Sequence, residues 1–425
     1  MTSRGGNEPV YLSNAEYLDA ATCESRVGTI CVESGVGGGI EFVDAVPAGA
    51  EAIDCSSRFV TRGFVVGHHH MYSALARGMP GPAVAPTSFV EILEKIWWKL
   101  DKALDPDMIR ASARVAAIDA ALSGTTMIID HHASPNAWAG SLGIIAEAVE
   151  EVGLSHLLCV ELSDRDGVSK AEQALAETER HLGEHQGLVG LHASFTVSDE
   201  LLGRAVGMAR DLGTGVHIHV AEAESDQEHC LANYSKRCVH RLAEAGALDL
   251  PRTILAHCIH LDDSEQRVIA ASRAWVAQQA ESNENNAVGT LDGRAFEDRI
   301  IIGTDGMHGD CLAAARASYL ASQAVGGLSP GNSYLRLRRV HEYLSQNGFA
   351  GDSGNNLVVL DYAPPTPVTA DNWPGHVAYG LNRSHVETVI SDGRVVVRDR
   401  RCIMVDEHEV MADARRQSVR LWDRL

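Results

Sequence analysis

The sequence predicts an α/β protein: a (β/α)8 barrel of the TIM type with a small composite β-sandwich domain built from both termini. Three observations predict it. From about residue 60 to 325, short apolar runs alternate with helical patterns, enough for eight strand-then-helix units. The histidines and acids that stand out fall at the ends of those runs, where such a barrel carries its working residues. Both flanks instead carry short alternating runs, too short to bury a core alone. The expected division is 1–60 with 351–425 in the small domain and 61–350 in the barrel. At 425 residues, one large unit plus a smaller one is the natural reading.

Taken in order, the N-terminal flank offers alternating runs at 27–32, 41–46 and 52–54, punctuated by Gly-Val-Gly-Gly-Gly. The barrel strands are expected to end at Gly67, Asp130, Leu162, His192, His219, His257, Gln278 and Asp305. Helical spacing of apolar residues covers 88–104, 109–122, 169–184, 199–212, 238–247 and 312–324. The C-terminal flank repeats the strand pattern at 357–360 and 386–390. Ser-Asp-Gly-Arg-Val-Val-Val there is a hairpin signal, because Asp-Gly suits a two-residue turn. Residues 406–425 read as a terminal helix.

Composition narrows the partners. A formal net charge of −21 argues against nucleic acid and anionic membranes, so small molecules are the expected partners. No apolar stretch approaches membrane-spanning length, and the N-terminus lacks a basic start followed by an apolar run. The nine cysteines contain no Cys-x-x-Cys pair, which suits reduced thiols in a cytoplasmic protein and disfavours a cysteine zinc site. A homo-oligomer is expected.

The chemistry starts at Gly-Phe-Val-Val-Gly-His68-His69-His70. Strand side chains alternate, so His68 and His70 share a face and His69 takes the other. Two imidazoles projecting together form half of a metal site. His217-Ile218-His219 repeats that spacing, with Glu222 just beyond; His217 itself reads better as a core residue. Strand six contributes His257, and strand eight contributes Asp305, which could otherwise cap a helix. Three imidazoles and one carboxylate suit zinc, with iron(II) or manganese(II) as alternatives. Such an ion acidifies water, and a carboxylate within reach, Glu222, can shuttle the proton to a leaving nitrogen.

The chain resembles the amidohydrolase superfamily, in its cytosine-deaminase-like or chlorohydrolase-like branch. The motifs are GFVVGHHH, GTTMIIDHH, HIHVAE, LAHCIHLDD and IGTDG, in order along nearly the whole length. HHHMYSALARGM, DHHASP, ESNENNAVG and PPTPVTADN look most like the SsnA-like aminohydrolases associated with selenium metabolism. The resemblance implies His68, His70, His219 and Asp305 as ligands of one divalent ion, Glu222 as proton shuttle and His257 steadying the attacking hydroxide. Glu222, His257 and Asp305 are then the catalytic set. Two departures, Gln278-Gln279 on strand seven and Gly-Met-His-Gly-Asp after strand eight, bear on substrate choice. Binuclear members bridge two metals with a carboxylated lysine from strand four or another bridging acid. Strand four here, Gly-Leu-Val-Gly-Leu-His192, has no lysine near it, which favours a single ion.

The implied reaction is hydrolytic deamination of a purine-, pterin- or related ring. The alternatives are hydrolysis of a cyclic amide or chloro-heterocycle at the same site, and a barrel scaffold without catalysis. His192, His132, Arg77, His308, Ser282 and Asn283 are weaker, substrate-contacting candidates. Asp130 could orient a ligand or cap a loop, Met79 could line the entrance, and Trp97-Trp98 read as core packing.

Overall fold

The computed structural model describes residues 8–425. The N-terminal strands are β1 (Val10–Leu18), β2 (Ser25–Val32), β3 (Ile40–Val43), β4 (Ala52–Asp54) and β5 (Phe59–Arg62). The central strands are β6 (Phe64–His69), β7 (Thr125–His132), β8 (Ser155–Val160), β9 (Val189–Ala193), β10 (Val216–Val220), β11 (Ile254–His257), β12 (Trp275–Gln278) and β13 (Ile300–Ile302). The chain closes with β14 (Leu357–Leu360), β15 (Val386–Ser391), β16 (Arg394–Arg398) and β17 (Arg401–Cys402).

The central strands run parallel and hydrogen-bond in two arcs, β6-β7-β8 and β9 through β13. Almost every residue in them is buried, because parallel strands are covered on both faces. Isolated parallel bridges join the arcs: Leu158 with Gly187 and Leu162 with Leu191 on one side, His69 with Asp305 on the other. At the second seam β6 and β13 approach so closely that a Cβ on Gly67 would sit 2.8 Å from both the Ile301 side chain and the Ile302 carbonyl.

Strands from both termini share one sheet, ordered β17-β16-β15-β14-β5-β1-β2-β3, with β4 also on β1. The two ends meet where β14 pairs antiparallel with β5, over a core of Leu12, Ile30, Val60, Val359 and Ile390. The Asp392-Gly393 hairpin turn has positive φ at both residues, 46° and 74°, as a two-residue connection of that twist requires.

Helix starts follow local chemistry. Asp105 accepts from the Met108 amide ahead of Pro106–Leu122, and Asp262 forms a capping box with Glu265 ahead of Asp263–Ala271. Asp310, not Asp305, caps Cys311–Ser322, which frees the Asp305 carboxylate. The expected helix over 88–104 forms without a break from Phe89 to Ala103, with a widened π-type turn at Leu93–Trp97 between Phe89–Ile92 and Trp98–Ala103. Helices Ser141–Val152, Glu224–Tyr234 and Pro330–Gln346 were not among the sequence expectations. The terminal helix spans Glu407–Trp422, and Trp422 donates its indole N–H to the Leu75 carbonyl at 2.9 Å. Among the described residues, no helix is long and apolar enough to cross a membrane.

Candidate active site

The C-terminal ends of β6, β10, β11 and β13 converge on one buried point. His68 lies within β6 and His70 just beyond it; His69 points away and meets the Thr304 hydroxyl at 3.0 Å. Asp305 follows three residues after β13. Its backbone is pinned there: Thr304 and Asp305 amides donate to the His68 carbonyl at 2.9 and 3.1 Å, and the His70 amide donates back to the Asp305 carbonyl at 3.2 Å. Asp305, His257 and Ala221 all have positive φ (52°, 72° and 47°). Non-glycine residues held there carry strain that surrounding contacts must offset, a condition that clusters at functional sites.

The rings are oriented through their other nitrogens. His70 donates Nδ1–H to the His131 carbonyl at 2.6 Å, and His219 donates Nδ1–H to the His192 carbonyl at 2.8 Å. Both Nε2 atoms are therefore left facing inward, 3.1 Å apart. His68 Nδ1 lies 2.8 Å from His217 Nε2, which explains the fully buried His217 as a partner behind the site. Asp305 Oδ1 sits 3.0 Å from His70 Nε2 and 3.4 Å from His68 Nε2. One donor atom from each of His68, His70, His219 and Asp305 lies within 4.8 Å of the others.

This set fits a divalent cation. His68 Nε2 is buried without a hydrogen-bond partner. Burial also holds the His68 and His219 rings well below the usual imidazole range, so they are neutral and able to ligate. Burial would likewise depress His70, but the Asp305 carboxylate outweighs it and lifts that ring to about 9. A positive charge is thus favoured beside Asp305.

A second group, Glu222, His257 and Asp305, meets the first at the Asp305 carboxylate. His257 Nε2 lies 3.4 Å from Glu222 Oε2, and its Nδ1 is 2.8 Å from Asn283 Oδ1. Burial, and then the Asp305 charge, push the Glu222 carboxyl well above its usual range, so it holds a proton readily.

A cavity opens on these groups, lined by His70, His219, Glu222 and Asp305 and walled by Tyr72, Phe89, Trp97, Trp98, His192 and Met307. Trp97 and Trp98, at the end of the widened turn, both line it, and Trp97 also packs against the core. Ser282 lines it too and donates to Asp305 Oδ2 at 2.5 Å. Asn283 lies behind, holding His257. His192 reaches the cavity with its Nδ1 bonded to Thr196 Oγ1 at 2.6 Å.

Three other candidates lie outside the cavity lining. Arg77 is mostly exposed, 3.7 Å from Asp119; His132 is buried against the Ser134 hydroxyl; His308 pairs with Glu281 at 2.6 Å. Asp130 accepts from the Met71 amide at 2.7 Å, shaping the turn after β6. Sequence reasoning missed Asp101, Glu161 and Asn286, which also line the cavity. No local pattern marks them, since they come from a helix and two loops distant in sequence.

The model of the amidohydrolase family matches residues 59–350. A 5-methylthioadenosine/S-adenosylhomocysteine deaminase of Desulforudis audaxviator is 30% identical, covering 95% of this chain and 97% of its own. Among solved structures, a zinc-bound adenosine deaminase of Xanthomonas campestris superposes with a TM-score of 0.83 at 19% identity, covering 98% and 99% of the two chains. An atrazine chlorohydrolase of Arthrobacter aurescens, complexed with zinc, gives 0.78 at 17% identity, covering 96% and 100%. The two structures share the fold with this chain.

Proposed function

The chain belongs to the amidohydrolase family, and from that premise we propose that it hydrolyses an amino group, as ammonia, from an aminated nitrogen heterocycle of purine, pterin or related type. The carrying observation is the Glu222–His257 pair, 3.4 Å apart, beside the convergent imidazoles and carboxylate. The 30% identical relative named as a deaminase supports this reading over loss of a halide or opening of a cyclic amide.

His68, His70, His219 and Asp305 would hold one divalent ion, zinc first, with iron(II) or manganese(II) as alternatives. When bound, that ion supplies Lewis acidity that makes water a nucleophile near neutral pH. The protein's own groups do the rest. His257, neutral and with Nδ1–H committed to Asn283, accepts a hydrogen bond from the attacking water at Nε2. Glu222 takes the water proton on a carboxylate oxygen and delivers it to the ring nitrogen adjacent to the attacked carbon. Glu222, a carboxylate again, then carries the remaining hydroxyl proton to the amino nitrogen; the C–N bond breaks, ammonia leaves, and a carbonyl is formed at that carbon with its ring nitrogen protonated. Asp305, fixed by Ser282, keeps its carboxylate turned to the histidines.

Within the family we place the chain with the SsnA-like aminohydrolases, on HHHMYSALARGM and ESNENNAVG. The working expectation is a cytoplasmic homo-oligomer. The test of function is ammonia release from a panel of aminopurines, aminopterins and their nucleosides. Halide release or ring opening without ammonia would overturn the deaminase reading.

A further inference from the structure

The cavity wall contributed by Trp98–Ala103 and the loop after β8 carries charge that the hydrolytic step does not use. Asp101 and Glu161 both line the cavity. Behind them the Arg165 guanidinium contacts Asp101, lies 3.3 Å from Glu161 and 3.1 Å from Asp166. Lys102 pairs with Asp166 at 2.7 Å. Three carboxylates thus share two cations, leaving one negative charge unmatched. Asp101 is only 1% exposed, yet its Oδ1 has no hydrogen-bond partner. A buried acceptor left unpaired is costly, and a ligand donor in the cavity would satisfy it. Among the described residues lining this cavity none is Lys or Arg, while Asp101, Glu161, Glu222 and Asp305 all are acids.

Resting on the deamination reading of the site, we propose that Asp101 and Glu161 form a substrate subsite for a protonated amino group carried at the far end of the heterocycle from the carbon that loses ammonia. The substrate class is then an aminated ring with a basic side chain, and rings bearing phosphate or carboxylate tails are rejected. Arg165 is a positioning residue: stacked near Trp98, with its guanidinium carbon 5.1 Å from the ring centroid, it holds both carboxylates at the wall. Burial lifts the Asp101 carboxyl to about 7, with Arg165 opposing the rise and Glu161 adding to it, and a bound ammonium would draw it to the ionised form.

The test uses metal-loaded full-length protein and three ring series, adenine, guanine and pterin. Each ring is offered unsubstituted, with an aminopropyl tail and with a carboxyethyl tail. Ammonia release gives kcat/KM, and calorimetry on metal-loaded Glu222→Gln gives Kd. In at least one series the aminopropyl compound should bind about tenfold tighter than its parent, and the carboxyethyl compound more weakly. In both Asp101→Asn and Glu161→Gln the amine advantage should shrink to within about threefold while metal content is kept. Two variants are needed because Asp101→Asn also disturbs Arg165. Absence of an amine advantage in every series, its survival in both variants, or no binding by any compound would overturn the subsite. An amine advantage without ammonia from any ring overturns the deamination reading alone; ammonia without an amine advantage overturns the subsite alone.

Discussion

His257 and Asn283 are joined by a 2.8 Å hydrogen bond from the imidazole Nδ1–H to the amide Oδ1, and that bond aims the other ring nitrogen at Glu222. The backbone supports the same orientation, since the His257 amide donates to Gln279 Oε1 at 3.0 Å. Gln279, one of the two glutamines that depart from the family pattern on strand seven, thus holds His257 in place.

Asn283→Leu should therefore leave metal content unchanged and lower kcat by about ten- to a hundredfold, the usual loss when an orienting partner is removed. Elemental analysis beside steady-state kinetics checks both halves. Wild-type turnover in this variant would mean the bond is not needed to present Nε2.

Glu222→Gln should also keep the metal, and should lose about 10²–10⁴-fold in kcat, the span of general acid–base catalysis. The amide cannot carry the proton from water to the ring nitrogen. A variant that loses its metal, or turns over near the wild-type rate, would remove Glu222 from the assigned role.

His70→Ala removes a donor whose Nε2 lies about 3 Å from both His219 and Asp305. Purified wild-type protein should contain about one equivalent of zinc-like metal per chain, and the variant far less, with an unchanged far-ultraviolet dichroism spectrum. Two tightly bound equivalents in wild type would contradict the single-ion assignment.

Stability should respond to acid through Asp352. Its Oδ2 accepts from Arg62 Nη2 at 2.9 Å and from His341 Nδ1 at 2.8 Å, tying helix Pro330–Gln346 to β5. Burial would raise this carboxyl, but the charges and hydrogen bonds of His341 and Arg62 outweigh it and hold it below its usual value. A carboxyl depressed on folding contributes stability that is present above its unfolded pKa of about 3.9 and lost as pH falls through the folded value. Burial depresses His341 as well, and its contribution is likewise lost on acidification. Asp352→Asn should cost about 1–3 kcal/mol at pH 7 and progressively less below about pH 4. Urea midpoints across that range measure it; a penalty independent of pH would sink the assignment.

Much of the architecture is legible in local patterns because parallel buried strands write themselves as apolar runs. Phe64-Val65-Val66 and Ile300-Ile301-Ile302 announce β6 and β13, and the His-x-His pairs announce which side chains share a face. The helix expected through 88–104 is present from Phe89 to Ala103, but with a local widening that the pattern did not announce. Its apolar spacing looks continuous, yet the chain widens at Leu93–Trp97, and both tryptophans line the cavity. Arg77, His132 and His308, weaker candidates by position after a strand, are engaged by nearby Asp119, Ser134 and Glu281.

By itself, then, the sequence determined the strand-and-helix alternation, the presence of donors at successive strand ends and the placing of Glu222 one turn past His219. All of these are short-range facts, carried by residues a few positions apart. Tertiary structure alone decided that His68, His70, His219 and Asp305 converge, that His217 backs His68, that Asn283 serves His257 and not the cavity, and that Arg165 joins Asp101 to Glu161 across sixty residues of chain. Those relations depend on how the two arcs of strands close and on which way each loop leaves the barrel. Such choices are made by packing among distant residues, which periodicity along the chain does not encode.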